Sequence, residues 1–171
     1  MTKNKIIIIA LVVLALVPVV YFLYPKIKKQ IEGFMMEKTF AIIKPDAVKA
    51  KNSGKIIDLI EQNGFNIVKL EKITMTQEQA KTFYAVHKDK PFFQEVVDFM
   101  CSGPVIVMAL EKSGAVDGWR TLMGSTNPEK ADAGTIRKLF GTDIMKNATH
   151  GSDSAENAKI ELEFFFPGVT K

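Results

Sequence analysis

Pro104-Val105-Ile106-Val107-Met108-Ala109-Leu110 is uninterrupted in its apolar character. That continuity, in a segment of strand length, predicts a β-strand buried on both faces. A strand covered from both sides needs helices on its flanks, and the neighbouring sequence supplies them. Upstream, Thr76 with Gln79 has the pattern of a capping box for a helix running to about His87. Pro91 then opens a second helix through Phe92, Val96, Val97 and Met100, so the two form a helical hairpin. Downstream, Ser113 is expected to cap a helix carrying Trp119, Arg120 and Leu122.

Further out, Thr39-Phe40-Ala41-Ile42-Ile43 is a short buried strand ended by Lys44-Pro45-Asp46, because the proline pushes Lys44 away from helical geometry. Ser53 through Asn63 places Ile56, Ile57, Leu59 and Ile60 at helical spacing and stops at Gly64. Phe65 to Thr74 is a second strand. After the Trp119 helix, Gly124 to Gly141 is poor in periodicity apart from a helical piece at Thr135 to Phe140, and loops of this length tend to carry function. A brief strand near Met145 to Ala148 leads to His150, and Asp153 starts a last helix reaching Phe165. The order strand, helix, strand, helical hairpin, strand, helix, loop, strand, helix implies an α+β domain. It resembles a ferredoxin-like split βαβ sandwich with a four-stranded antiparallel sheet.

The formal charge of +4 invites a nucleic-acid or acidic-membrane partner, but its location removes that reading. Of 23 Lys and Arg, five lie in residues 1–33, against one of the 19 acids, so 18 of each remain beyond. The domain after the first 35 residues is neutral, and no specific nucleic-acid partner is expected. Residues 6–24 carry no charge over 19 positions, close to the roughly 20 that span a hydrocarbon core. Lysines flank both ends and Tyr21 and Tyr24 suit the interface, so the reading favoured is an uncleaved membrane anchor in an N-terminal hydrophobic segment, 1–35. A cleavable signal segment and a translation start at Met35 or Met36 are the two rivals. The single cysteine, Cys101, allows no intrachain disulfide and reads as a small buried apolar residue. Two histidines without ligand spacing exclude a structural zinc site.

The chemistry is concentrated at Asn147-Ala148-Thr149-His150-Gly151-Ser152-Asp153-Ser154. A neutral imidazole nitrogen is nucleophilic near pH 7, and its phospho-adduct is labile enough to pass the group on. Gly151 permits close backbone approach, and Ser152-Asp153-Ser154 begin a helix whose free N–H groups favour an anion. The same residues also describe a polar turn that merely caps the next helix. Glu161 is placed to hold the ring's other nitrogen. Lys44, Arg120 and Arg137 are the candidate phosphate cations, and the two arginines stand alone against 21 lysines.

With those segments go His87-Lys88-Asp89-Lys90-Pro91-Phe92-Phe93, Ser102-Gly103-Pro104-Val105, Gly124-Ser125-Thr126-Asn127-Pro128 and Gly134-Thr135-Ile136-Arg137. Taken in order with the Lys44 and His150 segments, they resemble the nucleoside diphosphate kinases from Met36 to about Phe166. The resemblance implies a catalytic domain at 36–171 and a ping-pong exchange: a nucleoside triphosphate, mainly ATP, phosphorylates His150 on its pros nitrogen and a nucleoside diphosphate collects the group. It implies that Lys44 neutralises the transferred phosphate, that Tyr84 donates to it or supports Lys44, and that Ser152 and Glu161 orient the ring. Arg120, Thr126 and Arg137 match phosphate ligands and Asn147 a sugar ligand. Phe92 matches the aromatic on which the base stacks, with Val96 in the same slot. Mg2+ would arrive on the nucleotide phosphates, with Asp153 touching it through water. The resemblance also implies a homo-oligomer, tetramer or hexamer, and ATP-dependent chemistry points to a cytoplasmic catalytic domain whether tethered or free. The chain departs from the family pattern at Ala133, at Lys138-Leu139 and in the tail Pro167 to Lys171.

Two rival functions have their own signatures. An RNA-binding module on the same fold would show stacked aromatics on an open sheet face and a basic domain. A membrane-attached scaffold without catalysis would have no need of the full phosphate-binding set.

Overall fold

The computed structural model describes residues 23–24 and 36–170. The expected anchor at 6–24 therefore lies outside the described residues except for Leu23 and Tyr24. Among the described residues no helix is long and apolar enough to cross a membrane. Met36–Lys171 form one compact unit.

Four strands, β1 (Met36–Ile43), β2 (Asn66–Ile73), β3 (Val105–Ser113) and β4 (Thr149–Gly151), make one sheet in the order β2-β3-β1-β4. Every pairing is antiparallel, with Ile42 opposite both Val107 and His150. This is the ferredoxin-like order, and it makes β3 and β1 the interior strands. Val105 to Leu110 and Phe40 to Ile43 are fully or almost fully buried, as continuous apolar runs must be when both faces are covered.

Seven α-helices among the described residues from Met36 onward supply that cover: α1 (Pro45–Lys49), α2 (Ser53–Gln62), α3 (Gln77–Phe83), α4 (Phe93–Met100), α5 (Ala115–Met123), α6 (Ile136–Phe140) and α7 (Ala155–Phe165). Strand alternation sends Ala41, Ile43, Met108 and Leu110 to one core with Ile56, Ile60, Trp119 and Met123. The other core gathers Phe40, Ile42, Val107 and Ala109 with Val97, Met100, Leu162 and Phe166. With helices on both sides, the two central strands offer no open face on which an RNA base could stack.

Local signals behaved unevenly. The Thr76–Gln79 capping box is present in both directions, and α2 ends with Gly64 N–H donating to Glu61 O and Phe65 N–H to Ile60 O. Lys44 is extended and Pro45 opens α1, a short helix the sequence reading did not include. The hairpin's first helix stops at Phe83 and continues as a 3-10 turn at Ala85–His87. Ser113 does not cap α5. It ends β3, and Gly114 sits at the N-cap with φ 63°, a left-handed conformation that favours glycine. The orphan N–H of Val116 is taken instead by Glu37 Oε2 at 3.1 Å, a partner from β1. The strand expected at Met145 to Ala148 falls at Thr149–Gly151, where pairing with β1 is possible. The last helix is capped by Ser154, whose side chain accepts from Asn157 N–H, rather than starting at Asp153. Cys101 is half-buried at the end of α4.

Candidate active site

β4 carries His150 beside Ile42 of β1, on the sheet face that holds Phe40 and Tyr84. The ring is packed edge-on by Phe83, with centroids 5.1 Å apart, and by Tyr84 at 6.2 Å. Its Nε2 lies 3.1 Å from Glu161 Oε1 on α7. A carboxylate only accepts, so the proton is on Nε2 and the Nδ1 lone pair is left for chemistry. Glu161 Oε2 in turn accepts from Ser152 Oγ at 2.5 Å, and Ser152 is fully buried. Three side chains thus form one line, with the hydroxyl and carboxylate behind the imidazole.

The approach to His150 contains strain. Ala148 has φ 66°, and Thr149 N–H donates to Asn147 O at 2.7 Å, closing a three-residue turn in a conformation that costs a non-glycine residue about 1 kcal/mol or more. Asp46 Oδ2 accepts the Ala148 N–H at 3.0 Å, and Lys44 N–H donates to Ala148 O at 2.8 Å. The turn is therefore held from the end of β1. Gly151 is needed for a different reason than an approaching ligand. A Cβ there would meet the Trp119 indole at 2.3 Å, so the close approach is Trp119's, on the opposite face of the sheet.

Two adjoining cavities meet at His150. One, about 700 Å³, is largely apolar and is lined by Tyr84, Phe92, Val96 and Phe99 among others. The second, about 530 Å³, is polar and is lined by Arg120, Thr126, Arg137 and Asn147. Lys44, His87, Thr126, Ile144 and His150 line both, so the two are halves of one cleft. Phe92 is 44% exposed, so it is not a core aromatic.

Two of the three cations, Lys44 and Arg137, are held by hydrogen bonds. Lys44 Nζ donates to Asn147 Oδ1 at 2.6 Å and to Met145 O at 3.2 Å. Burial, with Arg137 nearby, pushes its pKa down to about 8, against the opposing pull of Asp46 and Asp143. Asn147 is buried, and its amide N–H groups go to Thr126 O and Ile144 O, both at 2.9 Å. Arg137 donates to Gly124 O at 2.9 Å and Thr149 O at 3.2 Å, while its Nε is buried without a partner among the described residues. Burial and the neighbouring Arg120 bring Arg137 down to about 10, still charged at neutral pH. Arg120 is exposed at the rim. Tyr84 is buried, which raises its phenol pKa and keeps it a proton donor. No hydrogen bond joins Tyr84 to Lys44 among the described residues.

Nucleoside diphosphate kinase is the description of the family model that matches residues 37–170. The chain belongs to that family. Nucleoside diphosphate kinase from Desulfotalea psychrophila is 57% identical over 134 residues, which is 78% of this chain and 98% of that protein. The Campylobacter jejuni enzyme is 60% identical over 131 residues, 77% of this chain and 96% of its own length. Among solved structures, the nucleoside diphosphate kinase of Aquifex aeolicus superposes with TM-score 0.77 at 45% identity, covering 79% of this chain and 98% of that one. That of Encephalitozoon cuniculi gives 0.76 at 37% identity, covering 79% and 92%.

For a nucleoside diphosphate kinase domain, the cleft gathers every nucleotide residue expected from sequence, and Ser152 with Glu161 stands directly behind His150. Asp153 is the exception. It lies outside both halves of the cleft, and its Oδ1 accepts from Asn157 Nδ2 at 2.6 Å. No cluster of three or more His, Cys, Asp or Glu able to hold a metal ion exists among the described residues. Sequence reading passed over Ile144, 64% exposed and lining both halves; as one of two adjacent apolar residues, with Met145, in a loop, it gave little signal. It also passed over His87, which gave no signal beyond its place in a motif.

Proposed function

We propose that this chain transfers the γ-phosphoryl group of a nucleoside triphosphate, mainly ATP, to a nucleoside diphosphate through a phosphohistidine on His150. The observation that carries the reading is the Ser152–Glu161–His150 line opening onto a cleft with one apolar and one cationic half. In the first half-reaction the Nδ1 lone pair attacks the γ-phosphorus, an N–P bond forms, and the bond to the β-phosphate oxygen breaks as the diphosphate leaves. The ring becomes a phospho-imidazolium, whose Nε2–H Glu161 holds and whose charge it stabilises. The incoming diphosphate then attacks phosphorus by its terminal oxygen, and the N–P bond breaks.

Lys44, Arg120, Thr126 and Arg137 receive phosphate oxygens in this reading, and Tyr84 donates to the group in transit. Asn147, sharing its Oδ1 with Lys44, takes the sugar. Phe92 and Val96 hold the base by stacking and contact, which every base can satisfy. An Mg2+ ion would enter on the nucleotide phosphates, with Asp143 and Glu129 the carboxylates that line the cleft and no cage of three or more such ligands among the described residues. Bound there, it would supply neutralisation of phosphate charge. The chain assembles as a tetramer or hexamer, which light scattering would decide. The domain 36–171 works on the cytoplasmic side, with 6–24 as its membrane anchor; a soluble species beginning near Met35 or Met36 in fractionated cells would remove that tether.

Incubation with γ-labelled ATP should give an acid-labile, base-stable phosphoprotein that GDP discharges. Labelling and turnover that survive in His150→Ala would overturn the mechanism.

A further inference from the structure

The chain's one tryptophan packs in the core opposite the one that holds Phe40 and Tyr84, yet it touches the nucleophile's own backbone. Trp119 is fully buried in α5, and its Nε1 donates to His150 O at 3.2 Å. Its indole fills the space a side chain at Gly151 would need, at 2.3 Å, and Met123 Cε closes the same space at 2.7 Å. The Phe65 ring backs the indole edge-on at 6.3 Å. β4 is three residues long and pairs with β1 alone, so side-chain donors supplement its ladder. Arg137 takes Thr149 O and Trp119 takes the next carbonyl.

We infer that Trp119 is a positioning residue for phosphoryl transfer, fixing the main chain of His150 from α5 while Glu161 on α7 fixes the ring. The inference rests on the proposed role of His150. The next residue of α5 is Arg120, which lines the polar half of the cleft. Trp119 thereby ties the backbone of the nucleophile to the helix that also carries Arg120, so the main chain of His150 keeps a fixed place against that wall of the cleft. A misplacement of about 1 Å can cost on the order of 10²-fold in rate, and a three-residue edge strand beside a strained turn has few contacts of its own to prevent one. Removing the indole N–H leaves Glu161 holding a ring whose backbone is less constrained.

The test is single-turnover phosphorylation of the full chain by ATP, with Trp119→Phe against Ile60→Val as a packing control in the same core. The phosphorylation rate constant of Trp119→Phe should fall about fivefold, within the range of one neutral hydrogen bond, with apparent ATP affinity unchanged and the control at the wild-type rate. Replacing Trp119 by benzothienylalanine, which keeps the bicyclic shape without the N–H, should give the same loss and settles the matter if Trp119→Phe does not fold. A wild-type rate in the benzothienylalanine protein, or an equal loss in Ile60→Val, overturns the inference. Absence of phosphohistidine in the wild type would instead overturn the proposed function.

Discussion

In the cleft, two of the charged groups expected to meet phosphate are anchored to the main chain, whereas two of its apolar residues, Phe92 and Ile144, stand at an exposed rim. Lys44 and Arg137 each reach backbone carbonyls, and Asn147 ties Lys44 to two loops at once. Phe92 and Ile144, by contrast, present 44% and 64% of their surface to solvent and have no polar group to fix them. The difference separates strict from permissive recognition. Phosphate oxygens must be met at fixed distances, and donors already in place cost no reorganisation when charge develops. A base that is only stacked requires area rather than direction. Arg120 breaks the pattern, because its guanidinium makes no hydrogen bond among the described residues. It is the cation free to follow the phosphate.

The contrast predicts unequal losses. His150→Ala should abolish acid-labile phosphate incorporation, measured by labelling from ATP, because among the described residues His150 is the cleft histidine whose ring is held by a carboxylate. Lys44→Ala should lower kcat by about 10²- to 10³-fold, the range for removing one preorganised donor to a developing charge. Steady-state kinetics in which Lys44→Ala raised KM with kcat intact would mean that the polar half merely binds. Phe92→Ala should act in the opposite way, raising KM for ADP, GDP and UDP alike by about tenfold with kcat little changed. A loss confined to one base would show that the apolar half reads edges, and the contrast would fail.

The parts of this site that were legible in the sequence are those with a local cause. Lys44 at the end of an apolar strand before proline, the capping box at Thr76, and a histidine followed by glycine and two serines all announce themselves within a few positions. What was not legible depends on partners far along the chain. Glu37 caps α5 from 79 residues away, which is why Ser113 was a reasonable but wrong cap. Asp46 supports the Ala148 turn across 102 residues, and Trp119 reaches His150 across 31. β4 is a strand because three residues find β1, not because of its composition, so its position was misjudged by a few residues. The role given to Gly151 had the right geometry and the wrong neighbour.

The smallest effect expected is on pH dependence, and it probes how Lys44 is held. Burial lowers the Lys44 pKa from 10.5 to about 8, so the folded chain releases this proton earlier than the unfolded one. Between those values the unfolded state binds more protons, and the Lys44 contribution to stability therefore rises with pH. Activity runs the other way, since phosphate neutralisation needs the ammonium. kcat/KM, which reports the free enzyme, should fall by about tenfold per unit above its breakpoint near pH 8. Asp46 pulls this pKa upward, so Asp46→Asn, which keeps an acceptor for the Ala148 N–H, should move the breakpoint to lower pH by less than about one unit. A pH profile in which Asp46→Asn instead lowers kcat at every pH, with the breakpoint unmoved, would assign Asp46 wholly to the strained turn and leave the Lys44 proton to burial and Arg137.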